Sequence, residues 1–441
     1  MRYVTEVSVP LNIGYGFGMA KKDVMAPERD RAIAPKTVAS SRLLWLLGPA
    51  LVAAVSYVDP GNVASNMTAG ARYGYLLVWV VVAGNVMAWL IQYLSAKLGI
   101  VTGTSLPEIL GIRMKRPTAR RLYWIQAELV AMATDLAEII GGAVALNLLF
   151  GLPLLAGGVI TGVISMLVLT VQSRRGPRIF ERVIIALILI IAVGFTAGVF
   201  FSPPDGGSML AGMVPRFEGT NSVLLAASIL GATIMPHAIY AHSSLARDRF
   251  PEWQGSTATR RLLWATKWDV TIAMAIAGTV NLAILLLAAS ALRGVEGTDT
   301  LEGAYAALQT TLGPAIATGF AVGLLASGLA STSVGAYAGA EIMHGLLRVR
   351  IPLLLRRLVT LIPALLILGV GFDPTEALVL SQVVLSFGIP FALIPLVWLT
   401  AKRGILGEFA NRWFTTAAGV VCAVLLVALN VVLLVLLFSG S

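Results

Sequence analysis

Ser56-Tyr57-Val58-Asp59-Pro60-Gly61-Asn62 and Gly231-Ala232-Thr233-Ile234-Met235-Pro236-His237 sit near the middle of two hydrophobic segments. Each stretch breaks its segment at a proline, beside a side chain able to hold a metal. Proline removes a backbone donor and clashes with the preceding turn, and Gly61 permits dihedrals that a helix does not use. Carbonyls upstream of each proline, those of Ser56 and Ala232 among them, are expected to lose their helical partners. In a bilayer such backbone is tolerated only inside protein or around a cavity. A single proline more often only kinks its helix. Two matched breaks with polar flanks point to a site near the membrane midplane, as in transporters with discontinuous helices.

The surrounding composition is that of an all-α integral membrane protein. Hydrophobic residues make up 57% of 441 and charged residues 12%, with a mean hydropathy of +0.86. The 44 glycines suit closely packed membrane helices. Eleven spans are expected, at 43–70, 75–99, 121–149, 153–173, 180–202, 222–246, 262–292, 313–345, 352–371, 375–400 and 413–438. Each is long enough to cross about 30 Å of hydrocarbon. The net charge of +10 is concentrated in alternate connections: the N-terminal tail, Arg113 to Arg121, Arg174 to Arg182, Arg247 to Lys267, Arg348 to Arg357 and Lys402 to Arg412. The other connections offer only Arg72, Arg216 and Arg293, with Asp205, Glu218, Glu296, Asp299, Glu302, Asp373 and Glu376. By the positive-inside rule, this places the N-terminus in the cytoplasm and the C-terminus outside the plasma (inner) membrane. The basic balance is thus a topology signal, and no nucleic-acid partner is expected. Neither is an obligate protein partner; the lipid bilayer is the expected surrounding.

Residues 1–42 lack an apolar run followed by a cleavage site and read as a cytoplasmic tail, in which Met19 and Met25 are alternative starts. Cys422 is the sole cysteine, which excludes an intramolecular disulfide and any CxxC motif. The two breaks fall in spans 1 and 6. An offset of five spans inverts topology, so 43–202 and 222–400 are expected to form a 5+5 inverted repeat, with 413–438 an added span.

The chemistry centres on Asp59. A carboxylate at mid-span costs about 2.5–3.5 kcal/mol on insertion scales, so a functional role is its default reading. Asn62 adds an amide oxygen and Met235 a thioether. Sulfur contributes little to Mg²⁺ or Ca²⁺ but favours softer divalent cations. A lone methionine in an apolar helix is usually filler, and Met235 stands out only through its place in the second break. His237 follows that break and could carry a proton, bind metal, or simply be a hydrogen-bonded buried side chain. Asp135 and Glu138 share one face of span 3 and suit a proton relay. Arg356 and Arg357, at the start of span 9, could pair with one of these carboxylates. Gln382, Asn85 and Asn281 are further buried polar groups, the two asparagines read as interhelical hydrogen-bonders.

Asp59-Pro60-Gly61-Asn62, Met235-Pro236-His237, Leu94-Ser95-Ala96-Lys97-Leu98-Gly99-Ile100-Val101-Thr102-Gly103, Thr134-Asp135-Leu136-Ala137-Glu138 and Ser381-Gln382-Val383-Val384-Leu385-Ser386 together resemble the natural resistance-associated macrophage protein (Nramp) family, from about residue 43 to 400. The resemblance implies a LeuT-type fold and import of Mn²⁺, Fe²⁺ and similar divalent metals with H⁺. It implies no cofactor beyond these transported ions. It also implies metal ligation by Asp59, Asn62, Met235 and the carbonyls of Ser56 and Ala232, with Gln382 joining in one conformation. His237, Asp135 and Glu138 would serve the proton route. The chain departs from the family pattern at Leu329 and Ala340, where glutamines are expected in a loop motif after span 8.

Three rivals follow from the same residues. An amino-acid or organic-ion symporter could use this fold, but Asp59 and Met235 argue against an anionic substrate. A Mg²⁺ carrier within the same family would, as the resemblance implies, lack the methionine, and Met235 is present. An intramembrane enzyme would need an HExxH or an activated serine, and neither is marked.

Overall fold

A computed structural model describes residues 48–175, 177–249, 256–349 and 352–439; the expected tail at 1–42 lies outside them. Every regular element described is helical. In order these are α1 (Pro49–Ala54), continuing as a 3-10 turn over Val55–Val58, α2 (Pro60–Tyr73), α3 (Val78–Thr102), α4 (Leu106–Arg113), α5 (Pro117–Phe150) and α6 (Leu154–Arg175). There follow α7 (Pro177–Phe201), α8 (Gly206–Ala211), α9 (Gly219–Thr233), α10 (Pro236–Arg249), α11 (Ser256–Ala291) and α12 (Leu301–Thr311). The chain ends with α13 (Pro314–Leu347), α14 (Leu353–Val370), α15 (Pro374–Ala401), α16 (Arg403–Leu406) and α17 (Trp413–Ser439).

Among the described residues, eight segments are long and apolar enough to cross a membrane unaided: α3, α5, Arg182–Phe201, Gly219–Arg249, α11, α13, α15 and Trp413–Leu436. Pro49–Val58 and Leu154–Leu167 are shorter apolar helices, and α14 occupies the segment expected as the ninth span. The short helices α4, α8, α12 and α16 lie between the expected spans. Proline at the first helical turn starts α2, α5, α13 and α15, where its missing N–H has no intrahelical partner to lose.

The core is built around α2, α5, α9, α13 and α15. α13 lies against α5 and α7, α11 against α2 and α3, and α15 against both α9 and α5. The added span α17 packs on α15 and α9, with Leu433 joining Val223, Ala227 and Val383. It is also clasped by polar bonds. Asn430 Nδ2 donates to the Ser386 carbonyl at 2.9 Å, and Ser386 Oγ donates to Asn430 Oδ1 at 2.8 Å. Between membrane helices, where apolar burial gives no drive, small side chains and interhelical hydrogen bonds of this kind hold neighbours together.

The start of α1 is held from another helix. Its N-cap is Gly48, which has no side chain to cap with, and Pro49 has no N–H. Asp269 of α11 supplies the missing acceptor: its carboxylate takes the N–H of Gly48 at 3.2 Å and that of Ala50 at 3.0 Å, and it is only 2% exposed. The sequence reading did not single it out. Asp269→Ala leaves two buried donors unpaired, at a cost of about 1–3 kcal/mol. A lowered midpoint in thermal unfolding of the purified protein is the expected result; an unchanged midpoint would mean that α1 is anchored elsewhere.

Candidate metal site

The first break forms where the 3-10 turn ends at Val58 and Asp59 turns extended, with φ −79° and ψ 169°. Asp59 is also the N-cap of α2: Asn62 N–H donates to its Oδ1 at 2.7 Å. One carboxylate thus serves the helix start and any ligand. The second break lies between α9 and α10, where Ile234 (φ −115°, ψ 54°) leaves the helix and Pro236 begins the next.

The freed carbonyls of the first break find partners on other helices. Asn281 Nδ2 of α11 donates to the Tyr57 carbonyl at 2.7 Å, and Ser327 Oγ of α13 to the Val58 carbonyl at 2.5 Å. Asn281 therefore braces the break itself. The two breaks then meet through Asn62. Its Nδ2 donates to Asp59 Oδ1 at 3.1 Å and to the Ala232 carbonyl at 3.0 Å. Gln382 Nε2 of α15 reaches Asp59 Oδ2 at 3.4 Å. Asp59, Asn62, Ala232, Met235, Ser56 and Gln382 are all fully buried. The structure brings Asp59, Asn62, Ala232 and Gln382 into one hydrogen-bonded group, with Met235 in the same break as Ala232.

Glycine makes this approach feasible. A Cβ on Gly61 would lie 1.7 Å from Gln382 Nε2, and one on Gly231 only 1.9 Å from the Gln382 carbonyl oxygen. α15 is thus pressed against both breaks at Gln382. Four oxygens near the breaks have no hydrogen-bond partner among the described residues: Ser56 Oγ, Asn62 Oδ1, Thr233 Oγ1 and Gln382 Oε1. Buried polar atoms are rarely left so, and oxygen lone pairs beside a carboxylate suit a cation. Among the described residues no three His, Cys, Asp or Glu side chains group to hold a metal, so a cation held here would rely on the amide and carbonyl oxygens around Asp59.

A second buried group runs from the break along α5. His237 is 1% exposed, with Nδ1 3.1 Å from Thr134 Oγ1, next to Asp135. Arg357 Nη1 is 2.6 Å from Asp135 Oδ1 and 3.1 Å from Glu138 Oε2, so it pairs with both carboxylates. Its remaining donors reach Ser165 and Thr332. Arg356 instead pairs with Glu128 at 2.9 Å and stands 3.7 Å from Asp135. Glu128 escaped the sequence reading; its signal is the seven-residue spacing to Asp135, two turns on one helix face. The guanidinium of Arg356 fills the space over Gly339, where a Cβ would lie 2.0 Å from Cζ. The segment containing Leu329 and Ala340 is not a loop, as the sequence reading had it, but the interior of α13.

Polar contacts also mark the two membrane faces. On the acidic face a cavity of about 490 Å³ is lined by α2, α9 and α15, with Arg72, Asp299, Asp373 and Glu376 at its wall. Arg72 pairs with Asp299 at 2.7 Å. One turn nearer the breaks the hydroxyls of Ser65 and Ser228 hydrogen-bond at 2.6 Å. On the basic face Arg247 joins Glu108 of α4 at 2.5 Å and Glu341 of α13 at 3.2 Å. His242 Nδ1 lies 2.7 Å from Gln92 Oε1, and Gln92 donates to the Tyr57 hydroxyl, tying α10 and α3 to the first break. Burial raises the Glu108 pKa, but hydrogen bonds from Ser105 and Arg247 outweigh it and hold the carboxyl below its usual value. A carboxylate so depressed stabilises the fold above its unfolded pKa of about 4.3 and loses that effect only as pH falls through the lower folded value.

Comparisons with known proteins identify the family and the fold. Residues 50–436 match the family model for natural resistance-associated macrophage protein-like (Nramp) chains. The chain is 61% identical over 409 residues to a protein of Mycobacterium tuberculosis named divalent metal cation transporter MntH, covering 92% of this chain and 95% of that one. A protein of the same name from Bacillus subtilis is 47% identical over 427 residues, covering 95% and 99%. Among solved structures, a mutant of the Eremococcus coleocola manganese transporter superposes with a TM-score of 0.80 at 31% identity, covering 89% of this chain and 86% of that one. MhsT bound to L-phenylalanine, at 14% identity, covers 89% and 98% with a TM-score of 0.58, a likeness of fold alone. The helical architecture is that of the LeuT-type fold, and the chain belongs to the Nramp family, a family of membrane transporters and not of enzymes.

Proposed function

We propose that this protein imports divalent transition-metal cations, Mn²⁺ foremost and Fe²⁺ and similar ions with it, together with protons and by alternating access. One observation carries the reading: the buried Asp59 carboxylate sits where two helix breaks meet, among amide oxygens that have no hydrogen to satisfy them. The names of the relatives support the same substrate class. In this reading Asp59, Asn62, Met235 and the carbonyls of Ser56 and Ala232 replace most of the ion's water, and Gln382 joins as α15 closes. Asn62 and Gln382 then turn their oxygens from idle acceptors into ligands. The anionic site weighs against a carboxylate-bearing substrate.

The cavity at the acidic face is the proposed entrance, since its walls are the three helices that reach the site. The basic face is placed in the cytoplasm, with the N-terminus, and the C-terminus outside. Residues 43–202 and 222–400 are assigned as inverted repeats, each opening with a broken helix. A divalent ion moving inward gains about 4.6 kcal/mol per 100 mV of membrane potential. Protons add to that drive or time the conformational change, and His237, Asp135 and Glu138, held by Arg357 with Arg356 behind, form the proposed route.

Proteoliposomes test the site. Asp59→Ala should abolish Mn²⁺ uptake, and Gln382→Ala, which frees one carboxylate oxygen, should weaken apparent affinity by about 10- to 100-fold. Met235→Ala should let Ca²⁺ or Mg²⁺ compete; unchanged exclusion of both would remove sulfur from the ligand set. For the proton route, wild-type uptake should acidify the lumen, and Glu138→Gln should uncouple the two. Acidification that persists undiminished in that variant rules out this path. Arg357→Ala strands two buried carboxylates and should destabilise by about 3–5 kcal/mol, read as a lowered thermal midpoint. Arg357→Lys should recover only part of it, because an ammonium cannot reproduce the guanidinium fork.

A further inference from the structure

Trp398 lies in the last turn of α15, and two cations converge on its ring. Lys402, one turn further on, places Nζ 3.5 Å from the indole centroid. Arg113, the last residue of α4, places Cζ 5.4 Å from it. The two positive charges therefore lie within about 9 Å of each other, roughly one Debye length at physiological salt. A tryptophan face attracts each cation but does not cancel their mutual repulsion.

Nearby carboxylates do not cancel it either. Glu108, Asp248 and Glu341 are engaged with Arg247, and Glu408 with Arg260. Among the described residues neither Arg113 nor Lys402 has a carboxylate within ion-pair distance, and both side chains are exposed.

The apolar surroundings define what the missing anion is attached to. Phe391, Ile394 and Trp398 are 48%, 51% and 46% exposed. Their spacing of three and four puts them on one face of α15, a helix apolar and long enough to span the membrane. On a helix of that length and composition an exposed apolar stripe suits acyl chains, and it ends at the indole, the side chain that prefers the headgroup level. The cations sit just past it, where a lipid phosphate lies. Ile112, 65% exposed, adds apolar surface beside Arg113.

We propose that Arg113, Trp398 and Lys402 form a binding site for an anionic phospholipid, at the basic face between α4 and α15. The guanidinium offers two parallel donors to the phosphate and the ammonium a point charge, while one acyl chain lies along Ile394 and Phe391. The ligand ties the end of α15, the helix that carries Gln382, to α4.

Native mass spectrometry of the full chain in neutral detergent tests this, with dioleoylphosphatidylglycerol against dioleoylphosphatidylcholine as probes. Wild type should retain the anionic lipid selectively. Near a membrane surface each cation contributes about fivefold, so R113A/K402A should weaken retention by about 25-fold. Its phosphatidylcholine binding and thermal midpoint should stay at wild-type values, which separates loss of the site from loss of the fold. W398L should weaken retention while keeping both charges, and R216A on the opposite face should not. Equal retention by wild type and the double variant, or no preference for phosphatidylglycerol over phosphatidylcholine, overturns the proposal. Displacement of the lipid by an equal concentration of inorganic phosphate also overturns it, since it would assign the cations to a free anion.

Discussion

The side-chain amide of Asn62 is the joint on which the rest of the membrane domain depends. Its Nδ2 bonds Asp59 Oδ1 on its own side and the Ala232 carbonyl across the gap. Two helices interrupted at the same depth would otherwise present open backbone to each other in a medium without water. Asn281 and Ser327 take up the carbonyls that Asn62 does not reach. Satisfying the first break from two other helices, α11 and α13, lets the chain keep a carboxylate at the centre of the fold. The same arrangement leaves acceptor oxygens idle where a cation would use them.

The ion pairs on α5 obey a related constraint. Asp135 and Glu138 are buried side by side, and two carboxylates this close call for a proton on one of them or a cation between them. Arg357 supplies it, and Arg356 takes Glu128. The Arg356 guanidinium fits inside the bundle because α13 offers Gly339 opposite it. Removing a partner from such a cluster is costly, although the intact cluster adds little net stability. Net stability is therefore a weak account of its presence, and the proposed proton route is the role offered for it.

Much of the candidate site was legible because a membrane makes polarity conspicuous. Asp59, Asp135 and Glu138 stand out in apolar runs, and the two X-Pro breaks locate the site within them. Asp269, Glu128 and Ser327 were harder to see. Asp269 and Glu128 lie near helix ends rich in charge, where a carboxylate looks like ordinary solvated surface, and one serine among many in membrane helices carries no local mark. Their roles arise from what faces them: the uncapped start of α1, Arg356, and the Val58 carbonyl. The reading of Leu329 and Ala340 as a loop rested on the family motif and conflicted with the span expected at 313–345, within which both residues lie; α13 runs unbroken through them.

Sequence alone determined that this is a polytopic helical membrane protein with two broken helices, and which side chains at the breaks have metal chemistry. It could do so because hydropathy, charge alternation and proline act locally, through the solvent and the backbone. Only the tertiary structure decided that Asn62 spans the two breaks, that α15 presses Gln382 against Gly61 and Gly231, and that Arg357 serves both carboxylates while Arg356 serves Glu128. Those outcomes depend on distances between helices hundreds of residues apart in the chain, set by how closely glycine faces let them approach.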